Sequence, residues 1–299
     1  MIIRLRVPNH FNFRRTVYSH GWCALPPFEV TEGKLELQRI IELSSERAVS
    51  VKVHQSRKGT LVVEMTGDSL AARDLSTIRS QISDCLRLDE DFGEFYAEAK
   101  KHGGFRWIPR MGAGRLLRAP TVFEDVVKMI CTTNCSWSLT EVMVGNLCTK
   151  LGFGGGENKH AFPRPEAMAE CSERFFRNEI RAGYRAPCLR EFARRVARGL
   201  LDVEAWRASD LATAELFKAV QSVKGVGPYA AGNILKLLGR YDYLGIDSWS
   251  RRKFFDLHRN GKVTKDSAIE RFYEPYGKWR GLFFWLDVTK HWYDKELPF

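Results

Sequence analysis

The stretch SVKGVGPYAAGNILKLLGRYDYLGIDSWSRRKF, residues 222–254, decides how the rest of the chain is read. It follows TAELFKAVQSV (213–223), which has the spacing of an amphipathic helix, and KGVG then supplies a tight turn before PYAAGNILKLLG resumes the helical pattern. Gly225 and Gly227 permit positive φ and close backbone approach, and Pro228 suits a first helical turn because it has no amide hydrogen to satisfy. The free amides at the start of that second helix form an anion site suited to a phosphate. RYDYLGID then brings Asp247 up just before a second helical run, SWSRRKFFDLH, which contains the basic cluster Arg251, Arg252 and Lys253. Asp247 is placed to cap that helix, but a carboxylate beside an anion-binding turn is electrostatically awkward unless chemistry or ion pairing uses it.

Composition sets the outer bounds. The 299 residues are 44% hydrophobic and 28% charged, a globular profile, and 47 Lys and Arg against 36 Asp and Glu leave a net charge of +11. That excess favours a polyanionic partner such as nucleic acid. Seven scattered cysteines form no paired framework, which points to reduced thiols in an intracellular protein. Cys131 and Cys135 are one helical turn apart, but no second Cys/His pair follows at zinc-ligand spacing. No cysteine lies beyond Cys188, which excludes a C-terminal four-cysteine iron–sulfur loop. MIIRLRVPNHFNFRR has charges inside its apolar run, and no stretch approaches the roughly 20 apolar residues of a membrane helix, so a soluble protein is expected.

The first hundred residues read as mixed structure. AVSVKVHQ (48–55) and TLVVEM (60–65) flank SRKG and predict a β-hairpin, and IIRLRV (2–7) alternates similarly. LAARDLSTIRSQISDCLRL spaces Leu70, Leu75, Ile78, Ile82 and Leu86 helically. From about residue 90 onward nearly everything reads as helix. Thr121 and Glu124 have the spacing of a capping box, LREFARRVARGLL adds an amphipathic helix, and GFGGGENKHAFPRPE (152–166) is a loop without the Lys-Ser/Thr of a P-loop. The expected fold class is α+β, an N-terminal antiparallel sheet domain over 1–100 and a mostly helical core over 101–299.

VKGVGPYAA with GIDSWSRRKF resembles the helix-hairpin-helix DNA glycosylase superfamily, in which such a hairpin is followed about twenty residues later by an aspartate. RAPTVFEDVVKMICTTNCSWSLT looks like the helix leading into that superfamily's DNA-wedge loop. The N-terminal strands and LDEDFGEFYAEAK are similar to the extra β domain of AlkA-type alkylpurine and 8-oxoguanine glycosylases. The resemblance implies a base excision repair enzyme that flips a damaged base out of duplex DNA and cleaves its N-glycosidic bond, leaving an abasic site.

On the matching positions, Asp247 would stabilise the sugar cation and orient water. Gly225, Val226, Gly227 and Lys253 would hold the DNA backbone, and Asn134 would be the wedge. Tyr229, Asn233, Phe284 and Val288 would face the base, with Asp287 and His291 beside them. Where nicking members carry a lysine this chain has Tyr229, which cannot form a Schiff base and implies no lyase step. Lys224 precedes the turn and should point elsewhere, and Lys236, two turns into the helix, is a remaining stand-in.

Asn233 and Val288 replace aromatic surface that AlkA-type members offer. An alkylated purine is the expected substrate, with a deaminated or mismatched pyrimidine or an oxidised purine as alternatives. No cofactor is required; backbone carbonyls of Gln221, Val223 and Val226 could hold sodium or potassium. A DNA-associated monomer is implied. A protein of another class, one that binds bent or damaged duplex without cutting, would have no use for Asp247.

Overall fold

The computed structural model describes residues 1–31, 33–44, 47–57, 59–66, 70–156 and 159–294. Five strands, β1 (Ile2–Arg6), β2 (Phe28–Thr31), β3 (Glu36–Ser44), β4 (Arg47–Arg57) and β5 (Thr60–Met65), form one antiparallel sheet in the order β1-β5-β4-β3-β2. The architecture is α+β, as expected. The β4–β5 hairpin pairs Val53 with Val63 and Gln55 with Leu61; Lys58 of its SRKG turn lies outside the described residues. Alternate positions Val51, Val53, Leu61 and Val63 are buried, and helix Ala72–Leu86 contributes Ile78, Ile82 and Cys85 to the same core.

Strands β2 and β3 went unread in the sequence. β3 is covered on both faces, so its pattern does not alternate. Ile40 and Ile41 are consecutive and both buried, and the Ile40 side chain fills the space where Gly155 lacks a Cβ. Arg39 just before them is buried too, and its guanidinium grips Glu124 with both terminal nitrogens, at 3.0 and 2.5 Å. Lys128 reaches the same carboxylate at 2.8 Å. This charged cluster ties the sheet to helix Val122–Thr132, and its two cations hold Glu124 below the usual carboxylate range despite burial.

The capping box expected at Thr121 forms only in half. Thr121 Oγ1 accepts the Glu124 N–H, but the Glu124 carboxylate is spent on Arg39 and Lys128. Glu204 replaces it, accepting the N–H groups of Val122 and Phe123 at 2.9 Å each. In the 152–166 loop an isolated bridge pairs Gly154 with His160, while Glu157 and Asn158 lie outside the described residues. Among the described residues no helix is long and apolar enough to cross a membrane.

Candidate active site

The two helices of the opening stretch are Thr213–Gln221 and Pro228–Leu237. Between them Val223 and Val226 are buried and anchor the turn, while Gly225 and Gly227 are exposed. Gly225 has φ +89° and sits against Cys188, whose Cβ and Sγ are 3.0 and 3.1 Å from where a Cβ would stand. Gly227 is the N-cap and Pro228 the first helical residue, so the N–H groups of Gly227, Tyr229 and Ala230 have no intrahelical acceptor. The turn therefore presents amide donors without an intrahelical acceptor, the arrangement an anion needs. Lys224 points away, as expected, pairing with Glu191 at 3.2 Å.

Asp247 is brought back onto the second helix by a close crossing. An added Cβ on Gly232 would lie 2.9 Å from Gly245 Cα, and Gly245 itself has φ +63°. Lys236, fully buried in the helix, donates through Nζ to Leu244 O and to Asn233 Oδ1 at 3.0 Å, and Asn233 Nδ2 donates to Gly245 O at 3.3 Å. These bonds fix the connector before Asp247.

Asp247 takes up the capping position expected of it. It is the N-cap of helix Ser248–His258: Oδ1 accepts from Ser250 N at 2.7 Å and from Ser250 Oγ at 2.6 Å. Among the described residues Oδ2 has no hydrogen-bond partner and is left for a ligand.

Asp247 lines a cavity of about 650 Å³ with Tyr229, Asn233 and Lys236. Five tryptophans also line it: Trp22, Trp137, Trp249, Trp285 and Trp292. Trp249, Trp285 and Trp292 form a cluster with ring centroids 5.6–6.3 Å apart. Trp22 is oriented by its indole N–H, which donates to Asp125 at 2.7 Å, and Trp285 by donating to Ser19 O at 3.0 Å. Trp137 lies over Gly21, its ring occupying the space a side chain there would need.

His20 completes this wall. Its Nε2 is 2.6 Å from Leu117 O, which can only accept, so Nε2 carries the hydrogen and Nδ1 is an acceptor. Burial lowers its pKa to about 4, keeping the ring neutral. Burial likewise lowers the Lys236 amine to about 7, with Asp247 acting in the opposite direction, and raises the Tyr229 hydroxyl to about 12.

Not every expected site residue reaches the cavity. Phe284 and Val288 are buried in the core, Phe284 edge-on to Tyr273 at 5.2 Å, and neither lines it. On the C-terminal helix Arg280–Val288 it is Trp285 that faces the site. Asp287 is occupied by His258 at 2.7 Å and Tyr273 at 2.6 Å, outside the lining. Asn233 does line the cavity, but its amide is committed to Tyr229 O, Gly245 O and Lys236, so it organises the connector and has little left to read a base edge.

Asn134 is exposed, with φ +47°, at the tip of the loop after helix Val122–Thr132. The hydroxyl of Tyr184 and the guanidinium of Arg185 both donate to Thr133 O and brace that tip. Lys253 stands beside Trp249, its Nζ 5.8 Å from the ring centroid.

Hairpin, capping aspartate and aromatic cavity stand on an α+β frame that the chain shares with solved structures of DNA glycosylases. No family model matches the chain. In sequence it is similar to a probable N-glycosylase/DNA lyase of Methanothermobacter thermautotrophicus, 25% identical over 92% of this chain and 91% of that protein. In structure it is similar to the 3-methyladenine DNA glycosylase of Archaeoglobus fulgidus, with TM-score 0.76 and 20% identity over 97% of this chain and 99% of that one. It is similar as well to the 8-oxoguanine glycosylase/lyase of Clostridium acetobutylicum, with TM-score 0.74 and 20% identity over 96% and 95%.

Proposed function

We propose that this chain is a DNA glycosylase that flips an alkylated purine out of duplex DNA and hydrolyses its N-glycosidic bond without cutting the strand. The observation that carries this is the free Oδ2 of Asp247 at the edge of a cavity walled by five tryptophans. A base stacked in duplex cannot be reached, so the nucleotide must be extruded, and a cavity of about 650 Å³ falls within the range of ordinary ligand sites. Alkylation at a ring nitrogen leaves a purine electron-poor or cationic, and aromatic faces attract such rings. His20 Nδ1 and Asp247 Oδ2 are both acceptors, which suits a base rich in N–H groups.

In the reaction, Asp247 stabilises positive charge growing on the sugar as the bond to the base breaks, and it holds the water that attacks C1′. The Ser250 bonds to Oδ1 at the first turn of helix Ser248–His258 keep the carboxylate in place. Hairpin amides and Lys253 would hold the phosphates, and Asn134 would fill the gap in the stack. The carbonyls of Gln221, Val223 and Val226 would hold a sodium or potassium ion, linking the hairpin to a phosphate. Val223 O already accepts from Val226 N at 3.0 Å and keeps one lone pair for it. The enzyme would work inside the cell as a monomer on DNA.

Strand nicking through Lys236 is the second reading, favoured by its place on the cavity lining and its near-neutral amine. Against it, the amine is bound to two acceptors and Tyr229 holds the position nearer the hairpin. The test is a panel of duplexes with alkylated, deaminated, oxidised and mismatched bases, scored for abasic sites with and without alkali. Release confined to alkylated purines, with breaks only after alkali, is the expected result. Release confined to oxidised or mismatched bases would overturn the substrate, and breaks without alkali would overturn the hydrolytic reading.

A further inference from the structure

The helix Ala186–Ala197 buries Leu189, Phe192 and Ala193 and turns a row of arginines outward. Arg190, Arg194 and Arg198 follow at intervals of four, with Arg195 beside them, and together with Lys224 of the hairpin they line a groove of about 370 Å³. Two of these guanidinium groups are already aimed. Arg190 Nε donates to Cys171 O at 3.2 Å and Arg194 Nε to Ala169 O at 3.1 Å, so their terminal nitrogens are held for another acceptor. The groove also contains Glu173 and Glu191, but Glu173 pairs with Arg177 at 2.7 Å and Glu191 with Lys224 at 3.2 Å. Their charges are therefore matched, and the four arginines are in surplus.

The groove runs directly from the hairpin. Cys188, two residues before Arg190, is the residue packed under Gly225, and the Lys224–Glu191 pair joins the two surfaces. From Arg190 to Arg198 the helix rises about 12 Å, matching the axial rise of three to four nucleotides of one strand at about 3.4 Å each. Guanidinium forks match phosphate oxygens in geometry as well as charge.

We propose that this arginine groove is a second backbone-binding surface, which takes the phosphates of duplex DNA beyond the segment held by the hairpin. The proposal rests on the reading that this chain binds DNA at the hairpin, and it adds a footprint extending to one side. Arg195 and Arg198 would bind as the duplex lengthens past the hairpin, and Lys224 would exchange Glu191 for a phosphate.

The test uses the full chain and duplexes carrying a central abasic site, one of about 8 base pairs and one of about 25, with binding followed by fluorescence anisotropy from low to moderate salt. For the long duplex, Arg195→Ala/Arg198→Ala is expected to reduce the slope of log K against log salt by about two and to weaken binding at least tenfold. The short duplex should be bound as before, and base release at saturating enzyme from a matching duplex of about 8 base pairs carrying an alkylated purine should be unchanged. Arg195→Glu/Arg198→Glu should enlarge the loss on the long duplex alone. An unchanged slope, or equal losses on both lengths in a folded variant, overturns the proposal. Wild-type protein that binds no duplex would overturn the hairpin reading as well. Binding without base release would remove the glycosylase reading and leave the groove to be judged by the slopes.

Discussion

Replacing Asp247 by asparagine separates the two duties of one side chain. Asparagine retains an oxygen that can accept the Ser250 N–H, now made at 2.7 Å, so the cap of helix Ser248–His258 survives. The loss of charge at the helix start costs stability about 0.3–1 kcal/mol. The effect on chemistry should be far larger. A carboxylate about 4 Å from a developing sugar cation, at an effective dielectric constant of about 20, is worth about 4 kcal/mol, or roughly a thousandfold in rate. Single-turnover release of base from an alkylated duplex, read as alkali-labile breaks, measures the rate, and thermal unfolding measures the fold. Asp247→Ala should lose the same rate and about 1 kcal/mol more stability, because it also removes the cap. A folded Asp247→Asn protein within tenfold of the wild-type rate would refute the electrostatic assignment. Full loss of rate together with loss of duplex binding would place Asp247 in binding.

The hairpin glycines should behave differently from one another. Gly225→Ala forces a side chain into left-handed backbone against Cys188, and a drop in unfolding temperature should accompany weakened binding to every duplex; Gly227→Ala, whose Cβ would meet nothing within 4 Å, should weaken DNA binding at unchanged stability. Lys236 has a folded pKa lowered to about 7 from 10.5, so the unfolded chain binds more protons between those values and stability rises with pH across that window. Lys236→Met should remove this rise when its unfolding temperature is compared with wild type between about pH 7 and 9. Borohydride trapping on abasic DNA should yield no covalent complex with the wild-type chain, and efficient trapping that vanishes in Lys236→Met would establish the nicking reading instead. His20→Phe keeps an aromatic wall but loses the Nδ1 acceptor, and should slow release of 3-methyladenine more than release of hypoxanthine, which lacks the amino group; equal slowing would mean a structural role alone.

The chemistry-bearing stretch was legible because its signals are local. Gly225, Pro228 and Asp247 each have a backbone duty that fixes the residue type, and all lie within one run of the chain. The cavity walls were not legible for the opposite reason. Trp22, Trp137, Trp249, Trp285 and Trp292 come from segments far apart in sequence, and a single tryptophan looks the same whether it fills a core or faces a ligand. Placing Phe284 and Val288 at the base followed the resemblance to the C-terminal helix of related glycosylases, and the structure turns Trp285 inward there, anchored by its bond to Ser19 O. Strand β3 was missed because burial on both faces removes the alternation that marks a strand, and its buried Arg39 needed Glu124, 85 residues away, to make sense.

The segment Ser19–Trp22 has a consequence beyond its hydrogen bonds. His20, Gly21 and Trp22 from the N-terminal region form one side of a cavity whose Asp247 carboxylate, like the hairpin glycines, lies more than 200 positions later. On the proposed function, one part of the wall that would meet the base and the carboxylate that would serve the bond are thus encoded in separable stretches of the gene. Exchanging this short segment between related proteins should then change which lesion is accepted while leaving Asp247 and the hairpin as they are.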